Sequence, residues 1–250
     1  MQGKYCDMSK TLVTIATYNE IENLPRLVEA IRQNLPAVHL LVVDDNSPDG
    51  TCQWCLDQKT RESNFDCIIR SGKLGLGTAV LVAMWYAMEK KYDFLINMDA
   101  DFSHPPEKLH ELLAAMKTEQ IDVAIGSRYV PGGKIEGWPL YRRLMSRAVN
   151  GFARICLGLR TRDNSGAFRC YRVATLHRIL AQQISQGKIR SKGYSFFEEI
   201  LFLLHRGGAK MVEIPITFTD RKFGKSKINF REAIKAISNI FRLGLTRLGL

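Results

Sequence analysis

Short apolar runs alternate along this chain with segments of helical period, and each run stops abruptly at polar or acidic residues. Thr11–Ala16, His39–Val43, Phe94–Met98 and residues 122–126 are four such runs. Runs this short and apolar read as strands covered on both faces. Between them, Asn23–Leu35 carries Leu24, Leu27, Val28, Ile31 and Leu35 at helical spacing, with Pro25 in its first turn. A short helix through Trp54, a strand at Cys67–Arg70, a glycine-rich loop at Gly72–Gly77 and helices over Thr78–Lys90 and residues 106–117 complete the pattern. This β-α-β-α order predicts an α/β fold: a mostly parallel sheet flanked by helices on both faces.

In such a sheet the carboxyl ends of the strands open on one edge, where ligands bind. The ends expected there are Ala16-Thr17-Tyr18-Asn19-Glu20, Val43-Asp44-Asp45-Asn46-Ser47-Pro48-Asp49-Gly50-Thr51, Asp99-Ala100-Asp101 and Gly126-Ser127-Arg128-Tyr129. Two acids one residue apart at a chain reversal can hold a hard divalent cation through oxygen. Asp99 and Asp101 can equally cap the helix that Pro105 and Pro106 open, with Ser103 as a further cap. Arg128 can pair with phosphate. Each piece has an ordinary reading as a turn; their joint occurrence in this order does not.

From about residue 130 the texture changes. Val130–Trp138 is glycine-rich, a loop or lid. Tyr141–Leu157 reads as a basic helix with Arg142, Arg143, Arg147 and Arg154. A polar turn at Asp163–Arg172 enters a strand, Phe196–Leu204 reads as an apolar helix, Lys210–Phe218 as a strand and Arg221–Ile228 as a basic loop. Asn229–Leu248 is helical in period, with Ile234, Ile237, Phe241, Leu245 and Leu248 on one face. No linker separates the halves, so residues 1–250 are expected to form a single domain. No run of 18 apolar residues occurs, so no transmembrane segment is expected, and Met1–Lys10 lacks the apolar core of a secretory signal. A cytoplasmic setting follows as the expectation. There the six cysteines, including the Cys52–Cys55 pair, read as reduced thiols, because a zinc site would need a second pair. The formal charge of +11 favours an anionic partner: nucleic acid, acidic lipid or a phosphorylated small molecule.

Across nearly the whole chain, from about Thr11 to Arg242, the motifs resemble glycosyltransferase family 2, whose members have the GT-A (Rossmann-like) nucleotide-sugar-binding fold. The resemblance rests on Thr17-Tyr-Asn-Glu20, Val42-Val-Asp-Asp-Asn-Ser-Pro-Asp49, Gly75-Leu-Gly-Thr-Ala79, Met98-Asp-Ala-Asp101 and Ile125-Gly-Ser-Arg-Tyr129. Gly132-Gly-Lys134, Trp138-Pro-Leu-Tyr-Arg142, Phe168-Arg-Cys-Tyr171 and Gly224-Lys-Ser-Lys227 narrow it to the dolichol-phosphate (polyprenol-phosphate) mannose synthase branch. Three positions depart from the family pattern: Ala16 stands where proline is usual, Ser165-Gly-Ala-Phe168 where Thr-Ser-Gly-Phe is usual, and Lys225 where glutamate is frequent.

The resemblance implies an inverting transfer of mannose from GDP-mannose to a polyprenyl (dolichyl) monophosphate, with Mg2+ or Mn2+. It implies a nucleotide-sugar-binding half over residues 1–129 and an acceptor and lid half over 130–250. Ala16, Tyr18, Glu20, Val43 and Asp45 are then expected at the base and ribose, Asp99 near the sugar or ribose, and Ala100 also against the nucleotide sugar. Asp101 would bind the metal with help from Ser103. Arg128 and Arg142 would meet the diphosphate or the acceptor phosphate. Arg221, Ser226 and Lys227 would close over the phosphates, Ser226 also on the acceptor side. Such an enzyme works at a membrane surface, peripherally at the cytoplasmic face. The last helix, with Arg231, Lys235 and Arg242 beside Ile234, Phe241 and Leu245, can lie in the interface, or a small membrane-spanning partner can anchor the protein. The rival readings are a UDP-glucose-dependent transferase of the same fold, a nucleotidyltransferase, a nucleic-acid binder and a catalytically inactive scaffold. Thr17-Tyr-Asn-Glu20 is no phosphate-binding lysine loop, basic residues alternate with acids rather than forming an aromatic-interleaved stripe, and Asp99, Asp101, Arg128 and Arg221 are intact. No nucleic-acid partner is expected.

Overall fold

A computed structural model describes residues 10–117, 120–220 and 230–248, apart from the side chains of residues 230–235 and 248. The elements follow in the order β1 (Thr11–Thr17), α1 (Leu24–Asn34), β2 (His39–Asp44), α2 (Thr51–Arg61), β3 (Phe65–Ile69), α3 (Leu76–Glu89) and β4 (Phe94–Asp99). A single 3-10 turn, Pro106–Lys108, leads into α4 (Leu109–Met116) and β5 (Val123–Ser127). Then come β6 (Lys134–Glu136), α5 (Leu140–Leu157), β7 (Arg169–Arg172), α6 (Val173–Ser185), α7 (Phe196–Arg206), β8 (Met211–Pro215), β9 (Thr217–Thr219) and α8 (Phe230–Leu248).

Seven strands form one sheet in the order β3-β2-β1-β4-β7-β5-β8. All neighbours are parallel except β7, which runs antiparallel to β4 and to β5. Inserting one reversed strand between β4 and β5 leaves those two pointing the same way. The carboxyl ends of β1, β2, β4 and β5 therefore share one edge, as the alternation predicts. Apolar residues alternate across the sheet: Leu41, Val43 and Leu95 face the layer containing α3, α6 and α7, whereas Leu40, Val42 and Ile96 face α1 and α4. Covering on both faces is what the near-continuous apolar strands require.

Several boundaries differ from the sequence reading. Val130–Trp138 contains β6, which pairs with β9 in a two-stranded parallel sheet, so this segment is partly built rather than a free loop. Lys210–Phe218 is two strands in two sheets, β8 and β9, because the chain changes partners at Ile216, which is buried. The helix α6 was not legible, its apolar positions being interleaved with Arg178 and Gln182. The apolar face read along α8 points partly outward: Ile237 and Phe241 are exposed, and the helix packs inward through Ala236, Ile240 and Leu243. Among the described residues no helix is long and apolar enough to cross a membrane. The five described cysteines are free thiols, and burial raises the pKa of Cys55 and Cys170.

Candidate active site

The register brings the site together. Ala16 lies opposite Val43 on β2 and opposite Asp99 on β4, so three strand ends meet side by side. Beyond β1 the chain turns at Asn19, whose φ of 59° is the left-handed region that asparagine tolerates. The turn is tied to the segment after β2. The Asn19 N–H donates to Ser47 Oγ (2.9 Å), the Glu20 N–H to Thr51 Oγ1 (3.0 Å) and the Ile21 N–H to Asp49 Oδ2 (3.1 Å). Asp44 is fully buried and accepts from Thr17 Oγ1 (2.7 Å) and Ser47 Oγ (2.6 Å), so it shapes the turn instead of facing a ligand. Burial alone would raise the Asp49 pKa, but donors from Thr51 and Ile21 outweigh it and hold the carboxyl below its ordinary value.

A cavity of about 320 Å3 opens at this edge, and Ala16, Tyr18, Glu20, Asp45, Asp99, Ala100 and Asp101 all line it. Val43 does not: its side chain is buried at 1% exposure in the layer beneath. Thr17, Gly75, Leu76 and Ala79, from motifs already singled out, also line it, and Lys73, Gly193 and Tyr194, which the sequence reading missed, complete the wall. Lys73 Nζ sits 4.6 Å from the centre of the Tyr18 ring. Asp45 is held in an ion pair with Arg70, which also donates to Thr78 Oγ1 (2.6 Å) and the Gly75 carbonyl (3.1 Å).

The glycines of the 72–77 loop have a steric reason. A Cβ on Gly75, where φ is +104°, would stand 2.5 Å from the Lys192 carbonyl oxygen, and one on Gly77 would stand 2.6 Å from Phe196 Cβ. The Gly77 N–H donates to that same Lys192 oxygen (2.8 Å). Close approach of the 190–196 segment therefore accounts for these two glycines. The 190–194 loop is pinned in turn by Glu199, which accepts from the Ser191 N–H (2.8 Å) and pairs with Arg242 of α8 (3.3 Å).

The acidic turn after β4 folds back on itself at Phe102, where φ is 59°. Asp101 Oδ1 accepts the Ser103 N–H (3.1 Å). Ser103 caps nothing: its Oγ is buried with no hydrogen-bond partner. An orphaned buried hydroxyl two residues from a carboxylate fits a hard cation's need for oxygen donors. Among the described residues no group of three or more His, Cys, Asp or Glu side chains converges. His104 does more than start a helix. Its Nδ1 accepts the Asp99 N–H (3.0 Å), which places the ring proton on Nε2, 3.8 Å from Asp99 Oδ2. Burial pushes its pKa down to about 4, so the ring is neutral.

The two expected phosphate arginines have different surroundings. Arg128 is 8% exposed, and its guanidinium grips the fully buried Asp163 through Nε–Oδ2 (2.7 Å) and Nη2–Oδ1 (2.6 Å). Burial disfavours the Asp163 charge, yet Arg128 more than compensates and its pKa is lowered. Arg128 is thus tied to the buried Asp163, and it also lines an open cavity beyond the strand end. Arg142 lies 4.0 Å from the Trp138 ring centre and 3.2 Å from Asp220. Trp138 packs on Phe218, and Phe218 and Phe168 pack on His104, so one aromatic chain joins the acidic turn to Arg142. Arg221, Ser226 and Lys227 lie outside the described residues.

Comparison with known proteins agrees with this fold. Residues 12–180 match the family described as Glycosyl transferase family 2. The chain is 41% identical over 236 residues to the undecaprenyl-phosphate mannosyltransferase of Micrococcus luteus, covering 94% of each. It is also 41% identical over 229 residues to the polyprenol monophosphomannose synthase of Mycolicibacterium smegmatis, covering 90% of this chain and 84% of that one. Two solved structures share the fold. Glucosyl-3-phosphoglycerate synthase from Mycobacterium tuberculosis, with Mn2+ and UDP, superposes with a TM-score of 0.66 at 17% identity, covering 96% of this chain and 80% of that one. A mannosyltransferase from Pyrobaculum calidifontis with GDP-Man and Mn2+ gives 0.54 at 12% identity, covering 96% and 74%.

Proposed function

The chain belongs to glycosyl transferase family 2, and from that premise we propose that it transfers mannose from GDP-mannose to a polyprenyl monophosphate with inversion at the anomeric carbon. The observation that carries this reading is 41% identity, over nine-tenths or more of the chain, to two proteins whose names join mannose to a polyprenyl phosphate. The cavity chemistry suits such a donor. Tyr18 offers a stacking face, Glu20 and Asp45 offer acceptors for base and ribose, and Lys73 brings a positive charge to the same wall. Asp99 and Ala100 face the sugar side.

Asp101, with the Ser103 hydroxyl, would hold Mg2+ or Mn2+, and that ion would supply positive charge to the leaving diphosphate. An oxygen of the acceptor phosphate attacks the anomeric carbon. A new carbon–oxygen bond forms as the bond to the GDP β-phosphate oxygen breaks, and the electron pair departs with GDP. The attacking oxyanion needs no strong base, and neutral, buried His104 supplies none. His104 instead holds the backbone of Asp99. Arg142 and Arg128 would meet the acceptor phosphate or the diphosphate, and Arg221, Ser226 and Lys227 would add positive charge and a hydroxyl for the phosphates. Most of the acceleration comes from orientation and from positive charge around the developing diphosphate. The prenyl chain keeps the acceptor in a bilayer, so the enzyme works peripherally at a membrane surface.

The test is transfer of radiolabelled mannose from GDP-mannose into the organic phase with polyprenyl phosphate and Mn2+. Asp101→Ala and chelation with EDTA are each expected to abolish transfer. Full activity in Asp101→Ala would overturn the metal assignment.

A further inference from the structure

A second cavity, about 560 Å3 in volume, lies beside α5 and shares no lining residue with the donor cavity. Arg147 and Arg154 project into it from one side of α5, with Gly151 between them at helical spacing, and Arg162 closes it from the loop beyond the helix. Arg142 does not line it. Arg128 does, but its charge is already balanced by Asp163. None of Arg147, Arg154 and Arg162 has a side-chain ion pair among the described residues. The nearby Glu213 is engaged by the backbone N–H groups of Arg162 (2.8 Å) and Asp163 (2.9 Å). Three like charges around one concavity repel each other, and an anion seated among them relieves that repulsion.

The setting identifies the anion. On the neighbouring side of α5 run Leu140, Tyr141, Leu144 and Ile155, which are 71%, 71%, 55% and 78% exposed. Arg147 and Arg154 flank this stripe. Against α5 packs α8, where Arg247 donates to the Ile155 carbonyl (3.1 Å) and Gly244 meets Cys156, and α8 adds exposed Ile237 and Phe241. An apolar stripe bordered by arginines is the pattern of a helix lying in a membrane interface, its cations at headgroup depth. Cavity and stripe are therefore complementary to the two ends of one molecule.

We infer that the cavity beside α5 binds the phosphodiester of an anionic phospholipid headgroup, holding the enzyme on the bilayer at a point distinct from the donor cavity. The inference shares its membrane setting with the function proposed above, but its test uses vesicles that contain no polyprenyl phosphate and no nucleotide. A failed transferase reading therefore leaves the result interpretable.

Co-sedimentation is measured at about 0.15 M ionic strength with phosphatidylcholine vesicles, with and without roughly a third phosphatidylglycerol. Wild-type protein is expected to prefer the anionic vesicles. The variant Arg147→Gln/Arg154→Gln/Arg162→Gln is expected to weaken binding by about five-fold per arginine, about a hundred-fold in all. Arg26→Gln/Lys90→Gln/Lys117→Gln makes the same change in net charge at exposed positions elsewhere and is expected to bind nearly as wild type. Gly151→Glu guards against a folding artefact. A Cβ there meets nothing within 4 Å and the exchange removes a helix-interior glycine, so this variant folds and places a carboxylate among the arginines. Its binding is expected to fall at least ten-fold. Equal losses in the two triple variants would reduce the effect to net charge and overturn the site. Release by millimolar inorganic phosphate, beyond that caused by chloride at matched ionic strength, would make it a soluble-anion site and overturn the lipid assignment.

Discussion

Replacing Asp163 by alanine strands the Arg128 guanidinium at a position where the residue is only 8% exposed. Asp163 accepts two side-chain bonds from Arg128, which gives a third to Ser165 Oγ (3.0 Å), and Asp163 also accepts the backbone N–H groups of Arg128 (3.0 Å) and Gly166 (3.1 Å). Breaking a buried pair by deleting one partner costs about 3–5 kcal/mol, since the remaining charge is left uncompensated. In a chain of this size 1 kcal/mol moves Tm by about 2–4 °C, so Asp163→Ala is expected to lower Tm by roughly 6–20 °C. Thermal unfolding followed by circular dichroism reads this directly. The double variant Arg128→Met/Asp163→Leu removes both charges and is expected to recover a large part of the loss. The pH dependence has a definite sign. Asp163 has a folded pKa below its ordinary 3.8, so the stability it contributes is present above that value and fades as pH falls through the lower folded one. The double variant should therefore lose less stability on acidification than the wild type. A shift in Tm of under about 2 °C in Asp163→Ala would refute the reasoning, because no buried charge would then have been exposed as unpaired.

Three further outcomes follow from single side chains. Glu198 is buried with Oε2 unpartnered, and burial pushes its pKa up to about 7 from 4.5. The unfolded chain ionises first, so this group loses stability as pH rises from 4.5 to 7; Glu198→Gln should match wild type near pH 4 and exceed it by up to about 3 kcal/mol near pH 8 in urea titrations. His104→Phe keeps the stacking on Phe168 but leaves the Asp99 N–H without its acceptor, an expected loss of about ten- to a hundred-fold in kcat, and unchanged kcat would show that the acidic turn needs no such support. Arg70→Met frees Asp45 and the Gly75 carbonyl, so the donor KM should rise at least about ten-fold with the acceptor KM unmoved.

The strand ends were legible because parallel strands leave a directional mark: each apolar run stops where the sheet edge begins, and ligand-facing residues gather at those stops. That reasoning brought Ala16, Tyr18, Glu20, Asp45, Asp99, Ala100 and Asp101 to one cavity. It did not bring the Val43 side chain to that wall, because register tells which residues are adjacent but a strand's last apolar side chain still turns inward. It missed Tyr194 and Gly193, which arrive from a loop more than ninety residues after Asp101 and are placed by contacts that no local pattern encodes. A signal did exist in Gly75 and Gly77, since glycines at that spacing announce a close approach by some other part of the chain. Asp163 was likewise visible only as one acid in a polar turn. Its pairing with Arg128 depends on the reversed strand β7 lying between β4 and β5, which composition and spacing do not reveal. His104 looked like a helix-start residue because the left-handed turn at Phe102, which folds it under Asp99, leaves no mark in residue type.

The most direct measurement incubates the protein with Mn2+, a short polyprenyl phosphate and, in parallel reactions, radiolabelled GDP-mannose or UDP-glucose. Label is expected in the lipid phase from GDP-mannose and not from UDP-glucose. Label from UDP-glucose with none from GDP-mannose would contradict the account, keeping the fold and the attack by phosphate but replacing the sugar and the base that the cavity recognises.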